Sequence, residues 1–160
     1  MIDLTPFTAP GDARVFLRAP FSLDGDLVAC NGKLFVVADG RGSDALERAD
    51  IPQQLRAYIQ HARADTSAKV PVAGATWARV KCRACDGDVT VIENSTPSSI
   101  GNHRDSVAAR YVKLLQALPD CEISDVSANN VFYFRFNGGF GSVMALSVGA
   151  YVPPEERTND

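Results

Sequence analysis

Asp26-Leu27-Val28-Ala29-Cys30-Asn31-Gly32-Lys33-Leu34-Phe35-Val36-Val37 is the stretch that decides the fold. Two strand-like apolar runs flank Asn31-Gly32, and Asn-Gly in that setting is the strongest short hairpin signal, because both turn residues take positive φ. A hairpin turning at Asn31-Gly32 follows. Asp24-Gly25 is a second turn signal just upstream, so the first third of the chain, including the apolar pair Phe16-Leu17, reads as a three-stranded meander.

Outward from that hairpin the periodicity changes. Ile51, Leu55, Tyr58, Ile59 and Ala62 recur at helical spacing, with Asp50 as a cap and Pro52 in the first turn, which predicts a helix from Ile51 to Ala64. Residues 65–75, with Pro71 and Gly74, read as a loop. Thr76 to Lys81 and Asp88 to Glu93 then alternate like the strands of a hairpin around Cys82-Arg83-Ala84-Cys85-Asp86-Gly87. Asn94 to Asn102 is rich in Ser, Pro and Gly and reads as a loop. Val107, Ala108, Tyr111, Val112, Leu114, Leu115 and Leu118 cover one face of a second helix, which Pro119 stops. Three strands follow, Cys121 to Val126, Val131 to Phe136 and Ser142 to Val148, with Asn129-Asn130 and Asn137-Gly138-Gly139 as the turns between them. The expected class is α+β, antiparallel strands with two helices packed on one face of the sheet. Tyr58, Ile59, Tyr111, Leu115, Phe134 and Phe136 are expected in the core or at its edge. The domain is expected over residues 1–152, with a disordered tail from Pro153 to Asp160.

With 160 residues, the chain suits one domain with a full core. An apolar fraction of 46% against 22% charged residues excludes a disordered polymer. No uncharged apolar run is long enough for a membrane span, and Met1-Ile2-Asp3-Leu4 does not begin a secretory signal. A cytoplasmic protein with no membrane partner is the expectation, and its four cysteines, Cys30, Cys82, Cys85 and Cys121, are then thiols. A net charge of −3 gives no global attraction to nucleic acid, so contact with DNA would need a locally basic face.

Catalytic patterns are missing from the sequence. His61 falls in a helix and His103 in a loop, neither near a nucleophile motif, and the carboxylates are scattered through turns and caps. Gly40-Arg41-Gly42-Ser43 lacks the lysine and the immediate helix of a phosphate loop. The expectation is therefore not an enzyme. Cys82 and Cys85 have the spacing of a zinc knuckle, but a structural zinc takes four ligands, and only Cys30, Cys121, His61 or His103 from distant segments would complete the set. The expectation is no cofactor, with zinc at Cys82 and Cys85 as the alternative. Opposite their apolar stripes, the first helix carries Arg56, Gln60 and Arg63, and the second carries Arg110 and Lys113. In an acidic chain these helix faces concentrate positive charge, which suits a phosphate backbone as well as it suits an ordinary solvated surface.

Ala109-Arg110-Tyr111-Val112-Lys113-Leu114-Leu115-Gln116-Ala117-Leu118, then Cys121-Glu122-Ile123, Val131 to Phe136 and Gly141-Ser142-Val143-Met144-Ala145-Leu146 resemble the C-terminal part of the bacterial DNA polymerase III beta subunit, the sliding clamp. Asp26 to Val36 resembles the clamp's glycine hairpin, with Cys30, Asn31 and Lys33 in place of threonine, aspartate and histidine. The whole pattern is similar to small clamp-like proteins of bacteriophages and prophages, with Ala145 standing where the clamp usually has proline. The resemblance implies a clamp-like fold and a DNA-replication accessory role. It further implies that Arg56, Arg63, Arg110 and Lys113 contact duplex DNA. By position, Cys30, Gly32, Lys33, Leu34, Phe35, Val143, Met144 and Leu146 would line a groove for a short apolar peptide of a host or phage replication protein. Two other classes stay open, a module that imitates a clamp surface to bind a host protein and a small zinc-knuckle protein. The apolar residues assigned to the groove also fit the alternation of a plain core, and the chain is expected as a monomer or dimer. Metal analysis of the purified protein is expected to find less than about one zinc per two chains, and a full equivalent would instead establish the knuckle as a structural site.

Overall fold

The computed structural model describes residues 2–42, 45–73, 77–81, 88–92, 104–124 and 128–148. Its strands are β1 (Phe21–Leu23), β2 (Asp26–Cys30), β3 (Leu34–Ala38), β4 (Lys69–Pro71), β5 (Trp77–Lys81), β6 (Asp88–Ile92), β7 (Arg104–Ser106), β8 (Glu122–Ser124), β9 (Val131–Phe136), β10 (Gly139–Met144) and β11 (Leu146–Val148). The helices are α1 (Gln53–Ala64) and α2 (Ala109–Gln116), and two 3-10 turns, Thr5–Phe7 and Val15–Leu17, precede β1. Seven strands form one antiparallel sheet in the order β1-β2-β3-β10-β9-β8-β4, while β5 pairs with β6 and β7 with β11. The protein is a single α+β domain.

The local turns follow their sequence chemistry, with one displacement. Asp24 and Gly25 take φ of 53° and 85°, and Asn129 and Asn130 take 53° and 62°, the left-handed pairs that two-residue primed turns require. At the deciding hairpin only Gly32 has positive φ, 85°. Asn31 instead accepts the N–H groups of Lys33 and Leu34 on its side-chain Oδ1, both at 3.0 Å, while its own N–H donates to the Leu34 carbonyl at 3.1 Å. An Asx-type hydrogen bond takes the place of left-handed backbone at Asn31, and the tip of the hairpin is Gly32-Lys33. The last strand also begins earlier than its sequence suggests, at Gly139, and breaks at Ala145 before β11 joins β7 in a separate sheet. The first helix starts at Gln53 with Pro52 as its N-cap. Asp50 does not cap it, because both its oxygens accept from Arg48 at 2.9 and 2.8 Å.

The two helices lie on opposite faces of the sheet, which corrects the expectation of one shared face. Leu55, Ile59 and Ala62 of α1 pack with Val28, Cys30, Phe35, Val37 and Phe140. Val112 and Leu115, with Val107 and Tyr111, pack with Ala29, Leu34, Val36, Phe132, Phe134 and Val143. Neighbouring residues of β2, β3 and β10 thus alternate between two cores, as strand geometry demands. The cause is visible in Leu34-Phe35-Val36-Val37-Ala38, buried at all five positions, for a strand apolar on both faces needs a cover on each side. The Cys82–Gly87 turn and the tail from Pro153 lie outside the described residues.

Two contacts fix the middle of this sheet. Gly139 and Gly141 face α2 opposite Phe136 and Phe134 of β9, and a Cβ at Gly141 would overlap both the Phe35 carbonyl oxygen and the Phe134 ring. Only glycine lets β3, β10 and the phenylalanine rings approach so closely. Beyond α1, Lys69 pairs with Asp65 at 2.6 Å with side chains 8% and 11% exposed, and Ser67 Oγ donates to the same carboxylate at 2.9 Å. Arg135 of β9 closes the carbonyl end of α1 by donating to Arg63 O and Asp65 O at 3.0 and 2.9 Å.

Gly141→Ala is expected to destabilise the fold by about 3 kcal/mol, whereas Gly11→Ala, where a Cβ meets open space, should change it by less than about 0.5 kcal/mol; urea unfolding measures both. Burial raises the Asp65 carboxyl, but hydrogen bonds from Lys69 and Ser67 outweigh it and hold its pKa below the ordinary 3.8. The folded state therefore binds that proton more weakly than the unfolded chain. Its contribution is present above about pH 4 and lost as pH falls through the folded value. Asp65→Asn is expected to cost about 3 kcal/mol at pH 7, because it strands the Lys69 charge. The difference from wild type should shrink steadily below pH 4.

Candidate functional site

The tip of the β2–β3 hairpin, the N-terminal half of α1, the Val15–Leu17 turn, the Asn129-Asn130 turn and the end of β10 enclose a cleft of about 530 Å³. Cys30, Gly32, Lys33, Leu34, Phe35 and Met144, six of the eight residues expected in a peptide groove, border it. Met144 is anchored there through its backbone, whose N–H donates to the Lys33 carbonyl at 2.8 Å. Val143 is not in the cleft, because its side chain is fully buried on the opposite face under α2. Leu34 likewise sends its side chain into that second core and meets the cleft only at the border. Consecutive residues of one strand cannot both face one groove, so Val143 and Leu34 belong to the plain-core reading and Met144 and Phe35 to the cleft. Leu146 belongs to β11, paired with Ser106 of β7.

Residues that sequence reasoning missed supply the rest of the lining. Phe16 and Leu17 come from the 3-10 turn, and Leu55 and Tyr58 from α1. Tyr58 is 44% exposed and Met144 40%, both large hydrophobic side chains open to solvent. Gln54 Nε2 donates to the Tyr58 hydroxyl at 3.2 Å, an i,i+4 pair along α1. The helical period of Tyr58 marked it as core or core edge; its exposure of 44% depends on what lies beside the helix, which no local pattern reports.

The Cys30 Sγ accepts the Gly32 N–H at 3.4 Å, and burial pushes the thiol upward against the opposing pull of that N–H and of Arg14. Burial likewise pushes the Cys121 thiol up to about 12, with the Glu122 charge adding to it. Cys82 and Cys85 lie outside the described residues, and among the described residues no group of three or more His, Cys, Asp or Glu side chains could hold a metal.

The four cations assigned to DNA are not brought together. Arg56 and Arg63 lie on α1, and Arg110 and Lys113 on α2 across the sheet. Arg56 pairs with Asp24 at 3.4 Å. Arg63 pairs with Asp26 at 2.5 Å and Asp39 at 3.5 Å, and its guanidinium lies 4.8 Å from the centre of the Phe140 ring. Arg110 stacks 4.7 Å from the Tyr111 ring centre. It borders a shallower depression of about 400 Å³ with Thr8, Asn31, Lys33, Tyr111 and Leu114, on the α2 side of the same hairpin tip. A third depression, about 960 Å³, lies at the far end of the sheet around the Gly40 and Gly138 turns and carries Leu46 with Asp39 and Arg41.

No helix among the described residues is long and apolar enough to cross a membrane. No protein-family model matches the chain, and neither a curated protein nor a solved structure matches it.

Proposed function

We propose that this protein is a non-enzymatic recognition module, clamp-like and of phage or prophage type, whose cleft beside the Gly32-Lys33 tip binds a short apolar peptide of a replication protein. One observation carries the reading. Tyr58 and Met144, both large hydrophobic side chains that are exposed, line the same cleft as Cys30, Lys33 and Phe35. An exposed tyrosine and methionine over a buried apolar floor form the kind of adaptable surface from which a peptide's anchor side chains gain most of their affinity. The resemblance of the hairpin and of the last strand to the sliding clamp supports the same site. A module that imitates a clamp surface to bind a host protein would use this cleft equally.

Duplex DNA draws less support. The α1 cations are matched by Asp24, Asp26 and Asp39, so a phosphate backbone would have to displace carboxylates already in place, and Arg110 and Lys113 lie on α2 across the sheet from them.

A labelled peptide carrying adjacent Leu and Phe in a glycine–serine background is expected to shift the Met144 methyl resonance saturably. Tyr58→Ala should weaken its binding about tenfold, near 1.4 kcal/mol, and Leu46→Ala, at a site 76% exposed elsewhere on the surface, should leave it unchanged. A methyl signal that does not move through millimolar peptide would overturn the reading.

A further inference from the structure

The charge around the cleft is lopsided in a way its apolar floor does not require. The chain carries a net charge of −3, yet the described residues bordering the cleft include Arg14 and Lys33 and no aspartate or glutamate. Arg14 is already matched, since its Nε and Nη2 donate to Asp12 at 2.9 Å each. The exposed Lys33 ammonium has no carboxylate partner among the described residues, whose ion pairs involve Arg14, Arg48, Arg56, Arg63 and Lys69. Lys33 also borders the neighbouring depression, where Arg110 is the other cation and again no carboxylate is present. The apolar cleft therefore continues over the hairpin tip into a patch with two cations, Lys33 and Arg110, that have no carboxylate partner among the described residues.

From this we propose that the occupant is an acidic peptide, one in which an apolar pair is flanked by carboxylates: the apolar side chains sit against Tyr58, Phe35 and Met144, and the carboxylates meet Lys33 and, across the tip, Arg110. The inference rests on the peptide reading of the cleft and adds the charge of its partner. Complementary charge at an exposed rim sets selectivity and encounter more than total affinity, and it is screened by salt. A partner rich in lysine or arginine would be excluded by the same two cations.

Fluorescence anisotropy with three labelled peptides tests this. All share an adjacent Leu-Phe pair and differ only in flanking residues, two Asp, two Ser or two Lys. At 50 mM salt the Asp peptide is expected to bind about fivefold tighter than the Ser peptide, with the Lys peptide weakest, and the preference should fade at 500 mM. Lys33→Glu, at an exposed tip whose side chain has no ion pair among the described residues, is expected to reverse the order. Equal binding by all three overturns the acidic specificity while leaving apolar recognition intact, whereas failure of all three overturns both. Displacement of the Asp peptide by a short DNA duplex at matched charge would overturn the proposal in favour of general polyanion binding.

Discussion

The pairing of β3 with β10 is the constraint on which the rest of the molecule depends. It joins Leu34 to Val143 and Ala38 to Gly139, uniting a meander at one end of the chain with a hairpin at the other, so that the sheet closes only after a long loop has been brought together. The glycines of β10 make that approach sterically feasible, and the Phe134 and Phe136 rings of β9 cover them on the α2 side. Everything that defines the cleft then follows from register. Once Met144 donates to the Lys33 carbonyl, strand alternation turns Met144 and Ser142 toward α1 and turns Val143 away.

What was legible in the sequence was local. Asp24-Gly25, Asn129-Asn130 and Asn137-Gly138 are turns because their residues tolerate or require left-handed backbone, and the apolar stripes of α1 and α2 lie where the helical period puts them. Non-local choices were not legible. Leu34-Phe35-Val36-Val37-Ala38 carried the sign of a strand buried on both sides, and taken at its word it places one helix on each face; a hairpin template alone does not. The fold brings Cys30, Gly32, Lys33, Phe35 and Met144 to the border of one cleft, whereas Val143 and Met144, neighbours on one strand, cannot share a side, and Val143 is buried under α2. The 3-10 turn that brings Phe16 and Leu17 to the cleft has no periodicity to detect.

Electrostatics shows a similar limit. Scored along its own helix, α1 looks basic, with Arg56 and Arg63 outward. In the fold its neighbours are the β1–β2 turn and the end of β3, which contribute Asp24, Asp26 and Asp39, and the exposed ion pairs that result add modestly to stability while cancelling the local field. A helix face is neutralised by what packs beside it. Lys33, by contrast, stands on a hairpin tip between two depressions, and among the described residues no acid borders either.

The edges of the sheet decide how such a protein can meet others. An open edge strand invites pairing with another chain. Here the β1 edge is occupied from within, because Ser22 donates to Leu46 O at 2.9 Å and accepts from Arg48 N–H at 3.2 Å. The other edge, β4, is three residues long, ends in Pro71, and begins with a lysine held in an ion pair to Asp65, each a device that blunts an edge. Neither end of the main sheet is thus shaped to extend into a second copy.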